Sequence, residues 1–187
     1  YTLVCVADYV LRHQKGPLVT NLSSSRALRD LASTFGVPCY YAPVGEVHVV
    51  NEMKSRGAVL GGEGNGGIID PTLHYGRDSL IGIALVLMHL ATSGKSLSQL
   101  KAGYPAYTMV KDKLAFDPAL SAQGILDKVA GHFDPETLDT RDGLKVDLPD
   151  AWVQLRKSNT EPILRIYAEA KNLEEANVLV EKVKSLI

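Results

Sequence analysis

The sequence has little of three things, and each shortage excludes a class. It holds two cysteines in 187 residues, Cys5 and Cys39. Neither has a close partner in the chain, which excludes a disulfide framework and a zinc site and makes a reducing, cytoplasmic setting the natural expectation. Charge of one sign is not in excess: 20 Lys and Arg stand against 21 Asp and Glu, a net charge of -1. Without clustered cations to release counterions from a phosphate backbone, no nucleic-acid partner is expected. Long hydrophobic runs are missing too. The longest, Leu80 to Met88, is nine residues, about half of the ~20 that a bilayer-spanning helix needs, so no membrane partner is expected. No charged segment precedes an apolar one at the start, so a secretion signal is not expected either. The chain opens on Tyr1, with Leu3, Val4, Val6, Ala7, Val10 and Leu11 already at helical spacing. This reads as a chain entered within a helix, a piece of something longer.

Apolar residues make up 45% and charged residues 22%, the balance of a chain that folds around a core. Over residues 1–102, short apolar runs alternate with helical ones. Pro17 to Leu22 reads as a strand, and Ser23, Ser24 and Ser25 as N-caps of a helix that ends at Gly36. Cys39 to Ala42 reads as a second strand, Glu46 to Ser55 as a helix stopped by Gly57, and Ala58 to Leu60 as a third strand. A glycine-rich loop and a helix over Gly76 to Ala91 follow. Strand and helix alternating at this spacing predict a parallel-sheet βαβ domain, with strands covered on both faces.

After Leu100 the character changes. Gly103, Pro105 and the polar run to Lys113 read as a linker. Residues 110–187 then predict a smaller α+β domain with an antiparallel sheet. Its strands lie near Lys113 to Phe116, then at Leu144 to Leu148, Ala151 to Arg156 and Ile163 to Glu169. A helix is expected over Asp117 to Ala130, and Asp142-Gly143 marks a hairpin turn. The last strand places Leu164, Ile166 and Ala168 on one face and Arg165, Tyr167 and Glu169 on the other. Asn172 and Glu175 cap a final helix with Leu173, Ala176, Val180, Val183 and Ile187 on its inner face.

Two loops carry chemistry. Gly61-Gly62-Glu63-Gly64-Asn65-Gly66-Gly67 leaves a strand at the edge where open α/β sheets bind ligands. Gly62 to Gly67 satisfies G-x-G-x-x-G, but Ile68-Ile69-Asp70-Pro71 separates it from the next helix, and Glu63 would repel a pyrophosphate. A carboxylate among glycines suits sugar hydroxyls better, because an ionised carboxylate only accepts hydrogen bonds and can grip two adjacent hydroxyls. A solvated turn is the bland alternative. The second loop, Arg156-Lys157-Ser158-Asn159-Thr160-Glu161-Pro162, offers a guanidinium fork, two hydroxyls and an amide. That inventory suits a phosphate dianion, although Ser, Asn and Thr also make ordinary hydrogen-bonded turns. Lys157 faces away from Arg156 on an alternating strand. Of the histidines, His89 reads as a hydrogen-bonded core residue and His74 as a surface residue of the loop region. Trp152 and Tyr167 read as packing residues.

In this order the two loops resemble those of the α-D-phosphohexomutases, the family of phosphoglucomutase, phosphomannomutase and phosphoglucosamine mutase. Gly62-Glu63-Gly64-Asn65-Gly66-Gly67 is similar to the family's G-E-x-S-G-H sugar loop, and Arg156 to Pro162 matches its R-x-S-x-T-E-P phosphate loop. Val44-Gly45 before a helix and Arg77-Asp78 at the start of another extend the likeness over the whole chain, as domains 3 and 4. The resemblance implies an isomerase, an intramolecular phosphotransferase, which interconverts hexose 1-phosphate and hexose 6-phosphate. It would work through a phosphoserine, a hexose 1,6-bisphosphate and Mg²⁺. It implies that Gly62, Glu63, Gly64 and Asn65 hold the sugar and that Arg156, Ser158, Asn159 and Thr160 hold the phosphate. The family's T-x-S-H-N-P serine motif and D-x-D-x-D-R metal motif have no counterpart here. No catalytic residue, metal or cofactor is therefore expected in this chain, no mutase activity from it alone, and N-terminal domains of the same polypeptide are the expected partners. Asn65 stands where Ser is usual, Gly67 where His is usual, and Glu46 where some members have His, which leaves the preferred sugar open. The competing readings are a non-catalytic sugar-phosphate-binding module and a dinucleotide-binding oxidoreductase fragment.

Overall fold

The structure, a computed structural model, describes residues 1–116, 121–158 and 163–187. It divides into two compact units, Tyr1–Ala106 and Tyr107–Ile187. In the first, helix α1 spans Thr2–His13, strand β1 Leu18–Asn21, helix α2 Ala27–Thr34, strand β2 Cys39–Ala42 and helix α3 Glu46–Arg56. Strands β3, Leu60–Gly62, and β4, Ile68–Ile69, precede helices α4, Ser79–Ser93, and α5, Leu97–Ala102. The strand order is β2-β1-β3-β4, with β1 parallel to both β2 and β3 and β4 antiparallel to β3. All four residues of β1 are buried, as expected for a central strand covered on both faces. The chain leaves β1 to one side for β2 and crosses back to the other side for β3. A crevice opens at such a reversal, beyond the carboxyl ends of β1 and β3.

The unit departs from the sequence reading at four places. The third strand begins two residues later than expected, because Gly57 caps α3 in the left-handed conformation at φ 60° and the Ala58 N–H returns to the Met53 carbonyl. The Gly61-Gly62 pair therefore belongs to the sheet. The strand β4, two residues long, is unannounced in the sequence and makes the sheet mixed at one edge. Helix α4 starts at Ser79 rather than Gly76, since the Asp78 carboxylate caps it by accepting from the Leu80 and Ile81 N–H groups. The short helix α5, opened by a Ser96–Gln99 capping box, lies where the sequence signals no element.

In the second unit, strand β5 spans Thr108–Ala115, helix α6 Ala122–Ala130, and strands β6 Leu138–Asp139, β7 Leu144–Asp147, β8 Trp152–Lys157 and β9 Ile163–Ala170; helix α7 spans Leu173–Ser185. The sheet order is β5-β9-β8-β7-β6, antiparallel throughout. Strand β5 begins inside the expected linker: its eight residues pair with the whole of β9, from Thr108 opposite Ala170 to Ala115 opposite Ile163. The expected start of α6 at Asp117 lies outside the described residues. Leu144, Val146, Val153, Leu155, Leu164, Ile166 and Ala168 pack with Ile125, Leu126 and Val129 of α6 and Leu179, Val180 and Val183 of α7, which puts both helices on one sheet face.

Glu169 keeps its expected place on the face opposite Ala168 but is buried there, because its carboxylate accepts a 2.8 Å hydrogen bond from the Trp152 indole directly across the β8–β9 pair. Leu173 contradicts the expected facing: it is 57% exposed at the first turn of α7, while Leu179 is buried on the inner face. The Asn172 cap holds as expected, accepting from the Glu175 N–H at 2.9 Å. Among the described residues no helix is long and apolar enough to cross a membrane. The architecture is the expected one, a parallel βαβ unit followed by an α+β unit with an antiparallel sheet.

Candidate functional site

Glu63 is the first residue beyond β3, at the carboxyl edge where the connections diverge. Its N–H donates to the Gly67 carbonyl at 2.9 Å and its carbonyl accepts from the Gly66 N–H at 3.1 Å, which folds the glycine-rich segment into a tight hairpin between β3 and β4. Gly66 needs its φ of 94° to make that turn, a conformation open mainly to glycine. Gly62 sits within β3, where a Cβ would overlap the Gly67 carbonyl and lie 2.8 Å from Leu3 of α1. The Gly64 N–H donates to Ser24 Oγ at 2.9 Å, and Asn65 Oδ1 accepts from the Gly67 N–H at 3.0 Å. The hairpin also bears on the dinucleotide reading. The loop returns as a strand and α4 begins only at Ser79, so no helix N-terminus follows the glycines directly, as a pyrophosphate site requires.

The Glu63 side chain is buried at 4% exposure, and a buried carboxylate must be paired to stay ionised. One oxygen accepts from Asn21 Nδ2 at 2.8 Å and the other from Arg77 Nη1 at 3.3 Å. Asn21 is fixed in turn by its own Oδ1, which accepts from Ser24 Oγ at 2.8 Å and from the Ser23 N–H at 3.1 Å. Thr20 Oγ1 lies 2.7 Å from Ser24 Oγ and 2.9 Å from the Gly62 carbonyl, with one proton to give to either. The serine run therefore has a use other than the expected capping: the N-cap of α2 is Arg26, with no side-chain cap. Ser25 Oγ accepts from the Ala27 N–H at the start of α2, while Ser24 anchors the glycine loop. Asn21, Ser24 and Arg77 are site residues that the sequence reading missed. Asn21 ends a buried strand as a polar residue, the one signal that could have found it.

Arg77 also grips Glu46 at the start of α3, its backbone N–H on Oε1 at 3.0 Å and its Nε on Oε2 at 2.8 Å. The Arg77 backbone N–H, then its guanidinium, hold the Glu46 carboxyl below the usual carboxylate range. Asp78 is likewise lowered, first by the Ile81 N–H at the helix start and then by His74, which stands 3.2 Å away on the surface. His89 belongs elsewhere. It is buried, with Nε2 3.0 Å from Asp8 Oδ2 and 3.2 Å from the Tyr104 hydroxyl, a polar bridge between α1 and α4.

In the second unit, Arg156 ends the buried part of β8, with its Nε 2.8 Å from Asp142 Oδ2. That is ion-pair distance, although the N–H does not lie on the line of a hydrogen bond. Asp142 reaches Arg156 because Gly143, at φ 75°, lies directly under β8: a Cβ there would overlap the Leu155 carbonyl and sit 3.2 Å from Arg156 Cα. The sequence marks Asp142-Gly143 only as a turn. Ser158 is buried, and its N–H donates to the Ile163 carbonyl at 2.9 Å, pinning the base of the loop. Asn159 and Thr160 lie outside the described residues. Lys157 is exposed and Arg156 half-buried, on opposite faces of the strand. Chemically, the first unit presents a fixed acceptor beside a guanidinium, suited to hydroxyls, and the second a half-buried guanidinium beside a short hydroxyl residue, suited to an anion.

Residues 1–107 match the family model described as phosphoglucomutase/phosphomannomutase, alpha/beta/alpha domain III, and residues 109–186 match the phosphoglucomutase/phosphomannomutase C-terminal domain. The chain is 37% identical over 183 residues to a phosphoglucomutase/phosphomannomutase of Thermococcus kodakarensis, covering 96% of this chain and 40% of that protein. It is 34% identical over 172 residues to a phosphoglucosamine/phosphogalactosamine mutase of Sulfurisphaera tokodaii, covering 91% and 38%. A crystal structure of a phosphoglucomutase/phosphomannomutase family protein from Burkholderia thailandensis superposes with a TM-score of 0.80 at 23% identity, covering 99% of this chain and 40% of that one, which supports the fold. The chain thus spans about 40% of the length of the curated relatives it matches. It belongs to the phosphoglucomutase/phosphomannomutase family and corresponds to the C-terminal half of a phosphohexomutase, domains III and IV.

Proposed function

We propose that these 187 residues are the substrate-holding half of an enzyme that interconverts hexose 1-phosphate and hexose 6-phosphate. The observation that carries this reading is the Glu63 carboxylate, buried, ionically paired and fixed at the crevice of the sheet. Glu63 would accept from a pair of sugar hydroxyls, with Asn65 at the hairpin tip alongside. Arg156 and Ser158, with Asn159 and Thr160, would hold the phosphate that is not reacting. Binding energy from that remote phosphate then orients the reacting end of the sugar, where it contributes to rate rather than to affinity alone. Glucose, mannose and glucosamine phosphates, and the 1,6-bisphosphate between the two monophosphates, are the ligands this division of labour would take.

Among the described residues no three His, Cys, Asp or Glu side chains converge as a metal site, and the carboxylates nearest the sugar loop are engaged by Arg77. These residues do not fit a magnesium ion. In this reading Mg²⁺ and the transferring phosphoserine belong to the family's other domains, and the setting is the cytoplasm. The test is a coupled glucose 1-phosphate to glucose 6-phosphate assay on the purified chain, run beside equilibrium dialysis with glucose 6-phosphate. Binding without turnover is expected. Turnover would overturn the assignment of a holding half, and absence of binding at tens of millimolar ligand, where a single phosphate loop should still register, would overturn the holding itself.

A further inference from the structure

We propose that Arg77 is a sugar-binding residue beside the glycine-rich loop, supplying from the segment just before α4 the donor that Gly67, lacking a side chain, cannot. The inference rests on the sugar-phosphate reading and adds to it a residue from outside the loop. A Cβ at Gly67 would lie 2.6 Å from Arg77 Cδ and 3.1 Å from Cγ, so the stem of Arg77 fills the volume that a side chain at position 67 would take. The backbone does not require glycine there. Gly66 has a left-handed φ and Gly67 does not, so Gly66 is explained by the turn and Gly67 by the passage of Arg77.

The head of the side chain is held at both ends of the site. Nε binds Glu46 at 2.8 Å and Nη1 binds Glu63 at 3.3 Å, while 46% of the side chain stays exposed. A guanidinium has five N–H groups, and among the described residues these two contacts account for two of them. The others remain to donate beside the acceptor oxygens of Glu63, so that one ligand hydroxyl can donate to Glu63 and its neighbour accept from Arg77. A phosphate is the wrong ligand for this spot. Two carboxylates, Glu46 and Glu63, outnumber the guanidinium, and Asp78 with His74 stands close by. Hydroxyls of a neutral ring suit a donor–acceptor pair in a field that repels anions.

The experiment compares the chain with Arg77→Gln by amide NMR titration with glucose 6-phosphate and, separately, with inorganic phosphate. Arg77 is half exposed but pairs with the buried Glu63 carboxylate, so overlaid spectra first check that the fold survives the substitution. Loss of charge-assisted donors should weaken glucose 6-phosphate binding about tenfold and leave inorganic phosphate unchanged. A second pair tests the shared volume: Gly67→Ala should weaken glucose 6-phosphate binding in the native background and do so much less in the Arg77→Ala background, where of the close contacts only Asn65 Oδ1, 3.2 Å from the added Cβ, remains. Equal affinity of Arg77→Gln and the native chain for glucose 6-phosphate would overturn the role of Arg77 and leave the sugar-phosphate reading standing. Equal effects of Gly67→Ala in both backgrounds would likewise overturn it. A native chain that ignores glucose 6-phosphate would overturn both.

Discussion

Asn21 Nδ2 donates a 2.8 Å hydrogen bond to Glu63 Oε1 across 42 residues of sequence, tying the end of β1 to the loop that leaves β3. The two strands are parallel neighbours, Thr20 opposite Gly62, so the next residue on each is brought to the same edge of the sheet. A parallel sheet makes this meeting cheap, because register alone delivers both side chains. The bond fixes one carboxylate oxygen inside the protein, while the other accepts from Arg77 Nη1 at 3.3 Å.

Replacing Asn21 by Asp would set a second carboxylate against a buried one. One of the pair must then hold a proton, and a group held protonated in the folded state costs stability as pH rises above its unfolded value near 4. Urea denaturation of Asn21→Asp should show a loss of roughly 3 kcal/mol at neutral pH and a smaller loss near pH 4. A loss that does not vary with pH would show that the Asn21–Glu63 contact is not electrostatic.

Arg156→Lys keeps the charge beside Asp142 and removes the planar fork. A dianionic phosphate prefers the fork, so affinity for glucose 6-phosphate should fall about tenfold while the folded spectrum of the second unit is preserved. Affinity unchanged in this variant would mean that Arg156 acts as a point charge or not at all.

The buried Asp8–His89–Tyr104 cluster predicts the alkaline limb of stability. Burial pushes the Tyr104 phenol above its ordinary value, with smaller contributions from Cys5 and Asp8, and burial likewise pushes the Cys5 thiol up. Both groups keep their protons in the folded state where the unfolded chain would lose them, so stability should fall as pH rises through about 8.5 to 10. Phenolate absorbance should show one of the eight tyrosines silent until the chain unfolds. Asp8→Ala removes the carboxylate that His89, Tyr104 and Arg12 share and should cost about 3 kcal/mol, read by urea denaturation.

The acid limb has the opposite sign. Glu46 is lowered by hydrogen bonds from Arg77, Asp78 by the helix N–H groups it caps, and Asp112 by Lys184. For Asp139, burial raises the carboxyl but pairing with Arg141 outweighs it. Carboxyls depressed in the folded state stabilise it above the unfolded value near 4, and that contribution is lost as pH falls through the folded values. The melting temperature should stay level from neutral pH to about 5 and then drop, and Glu46→Gln should flatten that drop.

Much of this was legible in the sequence for reasons that can be named. The strand Cys39–Ala42 and the helix from Glu46, expected to Ser55 and observed to Arg56, are legible because apolar runs and glycine stops are local signals. The first residues of strand β5, from Thr108, pass for a linker because they are only half-buried and follow Gly103 and Pro105, and only the eight-residue ladder with β9 makes them a strand. Alternation gives the face of Glu169 but not its burial, because it cannot foresee an indole directly opposite. The glycine and arginine loops stood out by residue type. Their supports, Asn21, Arg77 and Asp142, did not, because each meets its partner through tertiary contact: a parallel register, a hairpin that lets an arginine pass, and a glycine under a strand.

The measurement closest to the central claim is an amide NMR titration of the native chain with glucosamine 6-phosphate, glucose 6-phosphate and NADH in turn. The account predicts shifts with either sugar phosphate at Asn21, at Glu63 to Gly67 and Arg77, and at Arg156 and Ser158, with no response to NADH. Shifts with NADH confined to Gly62 to Gly67, and none with the sugar phosphates, would contradict it.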